Sequence, residues 1–186
     1  MEQARTNELA VQANLTRNGG LVSAIRLENH YLVECFGADG KLKWTDEFDN
    51  IVVNAGLDDS LDKHLKGSTY TAAWYVGLTD GTPTVAAGDT SSSHVGWVEV
   101  QDYSEAVRQT LTLGSVSGQS VSNSASKAVF SINGTTTVGG AFIISVSTKG
   151  GTTGVLYGAG AFTGGDRSVV SGDTLNVTVT CTAAAA

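Results

Sequence analysis

The chain has 186 residues, 41% of them hydrophobic, so it can fold around a core rather than remain disordered. Its formal net charge of −7 combines −8 from residues 1–108, which have sixteen acids and eight bases, with +1 from residues 109–186, which have two acids and three bases. This balance argues against a nucleic-acid binder, since phosphate contacts require Lys and Arg. No run approaches the roughly 18–20 apolar residues of a membrane span or forms a signal-peptide core, so we expect synthesis and folding in a reducing cytoplasm.

The first third of the chain predicts an arm, a β unit and one helix. Residues 1–20 are polar and end in Asn-Gly-Gly, which favours a flexible N-terminal arm. A strand at 21–27 and a hairpin of strands at 30–36 and 41–48 follow, with a Gly-Ala-Asp-Gly turn in the hairpin.

Three leucines at four-residue spacing predict the one short helix, over about residues 57–65. They are Leu57, Leu61 and Leu65. Acids crowd its first turns, where the helix macrodipole favours negative charge, and Gly67 provides a C-terminal stop. These acids are Asp58, Asp59 and Asp62.

The remaining sequence predicts a β-rich domain. Residues 70–79, 97–103 and 107–113 have strand composition, and the 80–96 segment between them is long enough to suggest a functional or interface loop. From residue 109 onward the chain has only five charged side chains and thirteen glycines, with turn signals every eight to fifteen residues. We therefore expect a mainly β fold, a β-sandwich or jelly-roll-like barrel, in a single domain over 21–182, with 183–186 as a disordered tail.

Few residues could take part in catalysis or metal binding, and each has a simpler structural interpretation. Cys35 and Cys181 stand in β-like runs and are expected to be free, buried thiols. The three histidines lack a second His or Cys at metal-ligand spacing. They are His30, His64 and His94.

Two carboxylate clusters were considered as acid–base or cation sites. The cluster Asp46, Glu47 and Asp49 is interpreted as a solvated strand end, and the helical acids as dipole-matching charges. The segment 114–118 has valine where a nucleophile elbow needs serine. We therefore expect no catalytic, cofactor-binding or metal-binding residues and no enzymatic activity.

Large aromatic residues occur in the Gly-rich setting and allow two interpretations. They either fill the β core, which we favour, or form a sugar-stacking platform or subunit interface. The residues concerned are Trp74, Tyr75, Trp97, Tyr103, Tyr157 and Phe162.

Nine segments between residues 49 and 179 occur in an order and spacing that resembles a family of small structural proteins of tailed bacteriophages. They include DNIVVNAGL at 49–57, WYVGL at 74–78, HVGW at 94–97 and RSVVSGDTLNVTV at 167–179. The other five lie at 86–90, 103–108, 138–142, 149–152 and 156–160. The family offers no catalytic residues to transfer.

The resemblance implies a virion component, and the role we attach to it is that of a capsid decoration (cement) protein. The expected partners are the major capsid protein and further copies of the chain, with a homotrimer favoured and contacts through residues 1–27 and 80–96. Its expected location is the capsid surface. The alternatives are a neck, tail or fibre protein that binds a receptor or carbohydrate, and a glycan hydrolase using Asp46 and Asp49.

Overall fold

A computed structural model describes residues 25–70 and 73–185 of the chain. These residues form twelve strands and one helix, α1 at Asn54–His64. The strands are β1 (Ile25–Phe36), β2 (Leu42–Asp49), β3 (Ile51–Val52), β4 (Tyr75–Thr79), β5 (Gln109–Thr110), β6 (Ser120–Ser122), β7 (Ala128–Ser131), β8 (Thr136–Val138), β9 (Gly140–Ile144), β10 (Leu156–Ala161), β11 (Arg167–Val169) and β12 (Thr174–Ala185).

Two five-stranded antiparallel sheets form the body of the protein. The first has the order β2-β1-β12-β6, with β7 also paired to β12, and the second has the order β3-β10-β9-β4-β5. A two-stranded sheet joins β11 to β8. The fold is therefore mainly β and sandwich-like, as predicted, and no sheet within the described residues closes into the alternative barrel.

One shared core lies between the two sheets. In β1 every second side chain from Asn29 to Cys35 is buried, and its Val33 stands opposite Val177 of β12. Leu78 of β4 and Ile143 of β9 reach the same core from the second sheet. This two-residue periodicity explains why alternating runs in the sequence identified these strands.

The N- and C-terminal parts of the domain pair more extensively than the sequence indicated. The strands predicted at 21–27 and 30–36 are one continuous β1 over its described length. The tail predicted from residue 183 is in fact strand, since β12 runs to Ala185, which pairs with Ile25. A long β1 supplies the backbone partners that keep this end ordered. The arm predicted at residues 1–20 lies outside the described residues.

Three predicted strands are shorter or replaced by irregular structure, and of the strand predicted at 107–113 only β5, Gln109–Thr110, is present. Within residues 70–79 the strand begins only at Tyr75, and within 97–103 there are isolated bridges, one joining Glu99 to Thr79 and one joining Tyr103 to Ile132. Backbone groups of residues 97–103 form isolated hydrogen bonds instead of a continuous ladder. For example, the N–H of Val100 donates to the carbonyl of Leu78 at 2.9 Å. Composition identified an extended segment but could not show that it lacks a continuous partner strand.

Candidate functional site

The helix was predicted correctly, but the apolar face that defined it points away from the domain. Leu57, Leu61 and Leu65 are 40%, 57% and 81% exposed, and we call these three residues the leucine ridge. The buried residue of α1 is Gly56. The helix therefore presents to solvent the side chains that an amphipathic pattern assigns to a core.

Close approach at Gly56 explains this orientation. A Cβ at this position would lie 2.9 Å from the backbone Cα of Tyr157 in β10, so only glycine allows the helix to rest directly on the strand. The N–H of Val53, just before the helix, donates to the carbonyl of Tyr157 at 3.1 Å. This backbone contact positions α1, and the leucine ridge takes no part in it.

A cavity of about 390 Å³ opens beside α1, and we call it the groove. The helix provides one wall through the side of Asp59, Ser60, Lys63 and His64. Apolar and aromatic side chains provide most of the remaining surface. They include Tyr70, Trp74, Leu113, Val116, Ile143 and Tyr157. Tyr70 and Val116 are 67% and 73% exposed, so the groove has an apolar rim as well as an apolar floor.

The charges of α1 are paired along the helix. Lys63 lies 3.9 Å from Asp59, and Lys66 lies 3.1 Å from Asp62. The hydroxyl of Ser68 donates to Asp62 at 2.9 Å, and this bond, with the lysines, holds the pKa of that carboxyl below its usual range. The dipole interpretation of these acids is wrong, because α1 begins at residue 54 and its first turn has no acid.

Burial raises the pKa of two groove residues, Cys181 and Tyr157. Burial raises the pKa of the Cys181 thiol to about 11, and it also raises the pKa of the Tyr157 hydroxyl. Both cysteines are free, as predicted; Cys35 is buried, whereas Cys181 is only partly buried and lines the groove. The groove is thus largely apolar, with the charged side chains of Asp59 and Lys63 on its helical wall.

A second, smaller cavity of about 140 Å³ lies near the loop 80–96. His94 stacks on the indole of Trp97 with ring centroids 3.7 Å apart, and burial lowers the pKa of His94. The indole N–H of Trp97 and Nδ1 of His94 have no hydrogen-bond partner among the described residues. Both atoms are shielded from solvent.

A buried ion pair closes the floor of this smaller cavity. Arg108 donates to both carboxylate oxygens of Glu99, at 2.9 and 2.7 Å, and the two side chains are only 2% and 7% exposed. Arg108 also donates to the carbonyls of Val146 and Gly151 at 2.8 and 2.7 Å. The pair fastens the irregular segments around β9, which is a structural task.

The carboxylates considered for catalysis do not meet. Asp46 is buried, contrary to the predicted solvated strand end, and accepts bonds from the backbone N–H of Thr163 at 2.8 Å and from Arg167 at 3.1 Å. Asp49 is exposed and lies 2.9 Å from His30. Three positions apart on one strand, Asp46 and Asp49 point to opposite faces of the sheet. Sequence reasoning missed the Asp46–Arg167 pair because its members are 121 positions apart.

The remaining candidate residues are dispersed. None of the described residues forms a group of three or more His, Cys, Asp or Glu side chains that could hold a metal ion. Of the aromatics, Trp97, Tyr103 and Phe162 are buried as expected, whereas Trp74, Tyr75 and Tyr157 are half-buried. The most exposed aromatic near a cavity is Tyr70, which the sequence interpretation did not single out as a site residue.

The loop 80–96 is held against the body by its own polar groups. The backbone N–H of Asn54 donates to the carbonyl of Ala87 at 2.8 Å, and Ser91 donates to the carbonyl of Gly154 at 2.7 Å. Val95 remains 81% exposed at its end. These hydrogen bonds fix the loop on the surface of the domain. Its use as a contact segment stays a prediction.

No protein-family description and no curated protein matches the chain. No helix within the described residues is long and apolar enough to cross a membrane.

Proposed function

We propose that the chain is a non-enzymatic virion component of a tailed bacteriophage, a decoration (cement) protein that binds the major capsid protein and stabilises the assembled capsid. It acts on the capsid surface as a homo-oligomer, with a trimer favoured. The observation that carries the proposal is that an exposed leucine ridge and a largely apolar groove share one helix, α1, of the β domain.

Exposed apolar surface of this kind is costly unless a protein partner covers it. The exposed fractions of the ridge leucines together equal nearly two whole side chains, and covering them is worth about 3–5 kcal/mol. Contiguous apolar patches on a soluble chain commonly mark interaction sites. In a protein that assembles on a particle, partner proteins would cover such a surface.

The hydrogen bonds and ion pairs of three buried carboxylates also support a structural role. Asp46 holds Arg167 and the backbone of residues 163–164, Glu99 holds Arg108, and Asp173 holds Lys43 at 2.6 Å. Each carboxylate ties together parts of the chain that are distant in the sequence or irregular in structure. A rigid domain of this type suits a protein that resists pressure from packaged DNA.

Binding to particles tests this function directly. Purified virions of the encoding phage are expected to contain the chain in many copies, detected by mass spectrometry of washed particles. Particles stripped of the protein are expected to rebind it from solution and to release DNA at a higher temperature after rebinding. Absence from washed virions, or rebinding that leaves DNA release unchanged, would contradict the proposal.

A second candidate function is favoured by the aromatic residues of the groove. Tyr70 is exposed and lines the same cavity as Trp74 and Tyr157, an arrangement that offers ring faces for stacking sugars. This supports the neck, tail or fibre alternative, with a receptor- or carbohydrate-binding role. Saturable quenching of tryptophan fluorescence by host glycans, lost in Tyr70→Ala, would favour it over decoration.

A further inference from the structure

One edge of the long strand β1 is open where the strand begins. β12 pairs with β1 along its whole length, whereas β2 pairs with it only from His30 onward. Residues 25–28 therefore have a partner strand on one side and, among the described residues, none on the other. Proteins usually pair or cover an open strand edge, because it is a template for pairing with another chain.

The backbone of Asn29 shows which groups point to this edge. Its carbonyl accepts a hydrogen bond from the N–H of Asn50, the residue just after β2, at 3.1 Å. In an antiparallel strand, alternate residues direct their N–H and C=O groups to the same side. Leu27 and Ile25 therefore direct theirs to the open edge, while the residues between them direct theirs to β12.

The core-facing side of this end of β1 is also poorly covered. Odd-numbered residues of β1 face the core, as the buried side chains of Tyr31 and Val33 show. Leu27 and Ile25 lie on the same face of the strand, yet Ile25 is 80% exposed. A strand that fits the open edge therefore has apolar side chains at every second position, on the face that it shares with these two residues.

We propose that the open edge of β1 receives an added strand, and that this strand is the segment 11–17 of the same chain. The segment precedes Ile25, where the description of β1 begins, and lies outside the described residues. Its side chains alternate between apolar and polar, and the apolar set is Val11, Ala13 and Leu15. This is the pattern that the open edge requires.

Residues 18–20 connect this segment to the chain that enters β1, and their length determines the register. Their sequence, Asn-Gly-Gly, suits a three-residue hairpin loop whose last residue takes the left-handed conformation that glycine allows. Such a loop places Ala13 opposite Ile25 and Val11 opposite Leu27. A two-residue loop would shift the pairing by one position and turn the apolar side chains to solvent. The two pairs add about four backbone hydrogen bonds to the open edge.

Tethering favours a strand of the same chain over a strand of another molecule. A short linker holds its segment at an effective concentration in the millimolar range, whereas a separate molecule binds from dilute solution. Two residue pairs form a contact far smaller than the roughly 800 Å² per partner of a standard interface. The assignment leaves residues 1–10 for the partner contacts expected of the N-terminal segment. This strand pairing does not depend on the decoration role.

Amide hydrogen exchange measured by NMR tests the added strand at single residues. In the full chain the N–H groups of Ile25 and Leu27 are expected to exchange as slowly as that of Arg26, which faces β12. Ala13→Pro removes a donor to the open edge and should accelerate exchange at Ile25 and Leu27 at least about tenfold. Gln12→Pro is the matched control, since its missing N–H faces solvent and exchange should stay slow. Fast exchange at Ile25 and Leu27 in the wild type, or equal effects of the two prolines, overturns the proposal.

A disulfide identifies the molecule that supplies the strand. Ala13→Cys and Ile25→Cys are combined with Cys181→Ala, and isotopically light and heavy chains are refolded together before oxidation. Mass spectrometry after digestion is expected to find a disulfide between positions 13 and 25 within chains of one label, because paired strands bring these Cα atoms within bridging distance. Gln12→Cys in place of Ala13→Cys is the control and should form little disulfide, since its side chain faces away. Mixed-label disulfides would assign the edge to a second copy, and either that result or no disulfide at all contradicts the proposal.

Discussion

Removing Arg108 is expected to destabilise the domain more than any surface substitution. Replacement by methionine keeps much of the side-chain volume but deletes the guanidinium group. Glu99 then remains buried, with the N–H of Gly150 at 2.7 Å as its remaining hydrogen bond in the described structure. A buried carboxylate without its cation is unfavourable because the interior solvates charge poorly.

The magnitude follows from what the guanidinium group contacts. It makes two bonds to Glu99 and two to backbone carbonyls, and it lies 5.4 Å from the centroid of the Phe142 ring. Loss of one partner of such a buried pair costs about 3–5 kcal/mol of unfolding free energy. That is a large fraction of the 5–15 kcal/mol that typically separates folded from unfolded states.

Urea unfolding followed by circular dichroism measures the effect. Arg108→Met is expected to lower the midpoint strongly, and Glu99→Leu combined with Arg108→Met to recover most of the loss, because no charge then stays unpaired. The control is Lys41→Met, whose pair with Asp39 at 3.2 Å is exposed and screened by solvent, so its loss should leave the midpoint near that of the wild type. The reasoning is refuted if Arg108→Met lies within about 1 kcal/mol of the wild type, or if the double variant is no better than the single one.

Three further outcomes are expected. Gly56→Ala should cost about 1–3 kcal/mol in urea unfolding, because its Cβ would displace the β10 backbone, whereas Gly81→Ala, with open space around it, should match the wild type. The pKa of Cys181 is raised to about 11; stability from this thiol is therefore complete below about pH 9 and declines towards pH 11, and Cys181→Ala should remove that part of the decline. Burial lowers the pKa of His94, so acidification should change Trp97 fluorescence with a midpoint below pH 6.5, and a midpoint at or above 6.5, or one unchanged in His94→Gln, would contradict the stacked geometry.

The sequence predicted elements whose signals are local. Alternating apolar residues located β7 and β12, and the Gly-Asp turn at 172–173 separates β11 from β12 as expected. The four-residue spacing of leucines located α1. These patterns depend only on residues close in the sequence, so they can be recognised without knowledge of the tertiary structure.

The orientation of α1 could not be predicted, because an apolar stripe does not reveal what covers it. The contact that decides the orientation joins Gly56 to Tyr157, a hundred residues away, through backbone atoms that carry no sequence signal. The pair of buried Asp46 with partly exposed Arg167 was missed for the same reason. The groove likewise combines residues from separate segments of the chain, so it exists only in the folded state.

The proposed function is tested most directly by cryo-electron microscopy of virions from the encoding phage, compared with particles that lack the protein. Difference density of the size of this domain, repeated at three-fold or quasi-three-fold positions between major capsid subunits, is the predicted result. Density confined to the neck, tail or fibres, or no difference on the capsid surface, would contradict the decoration role.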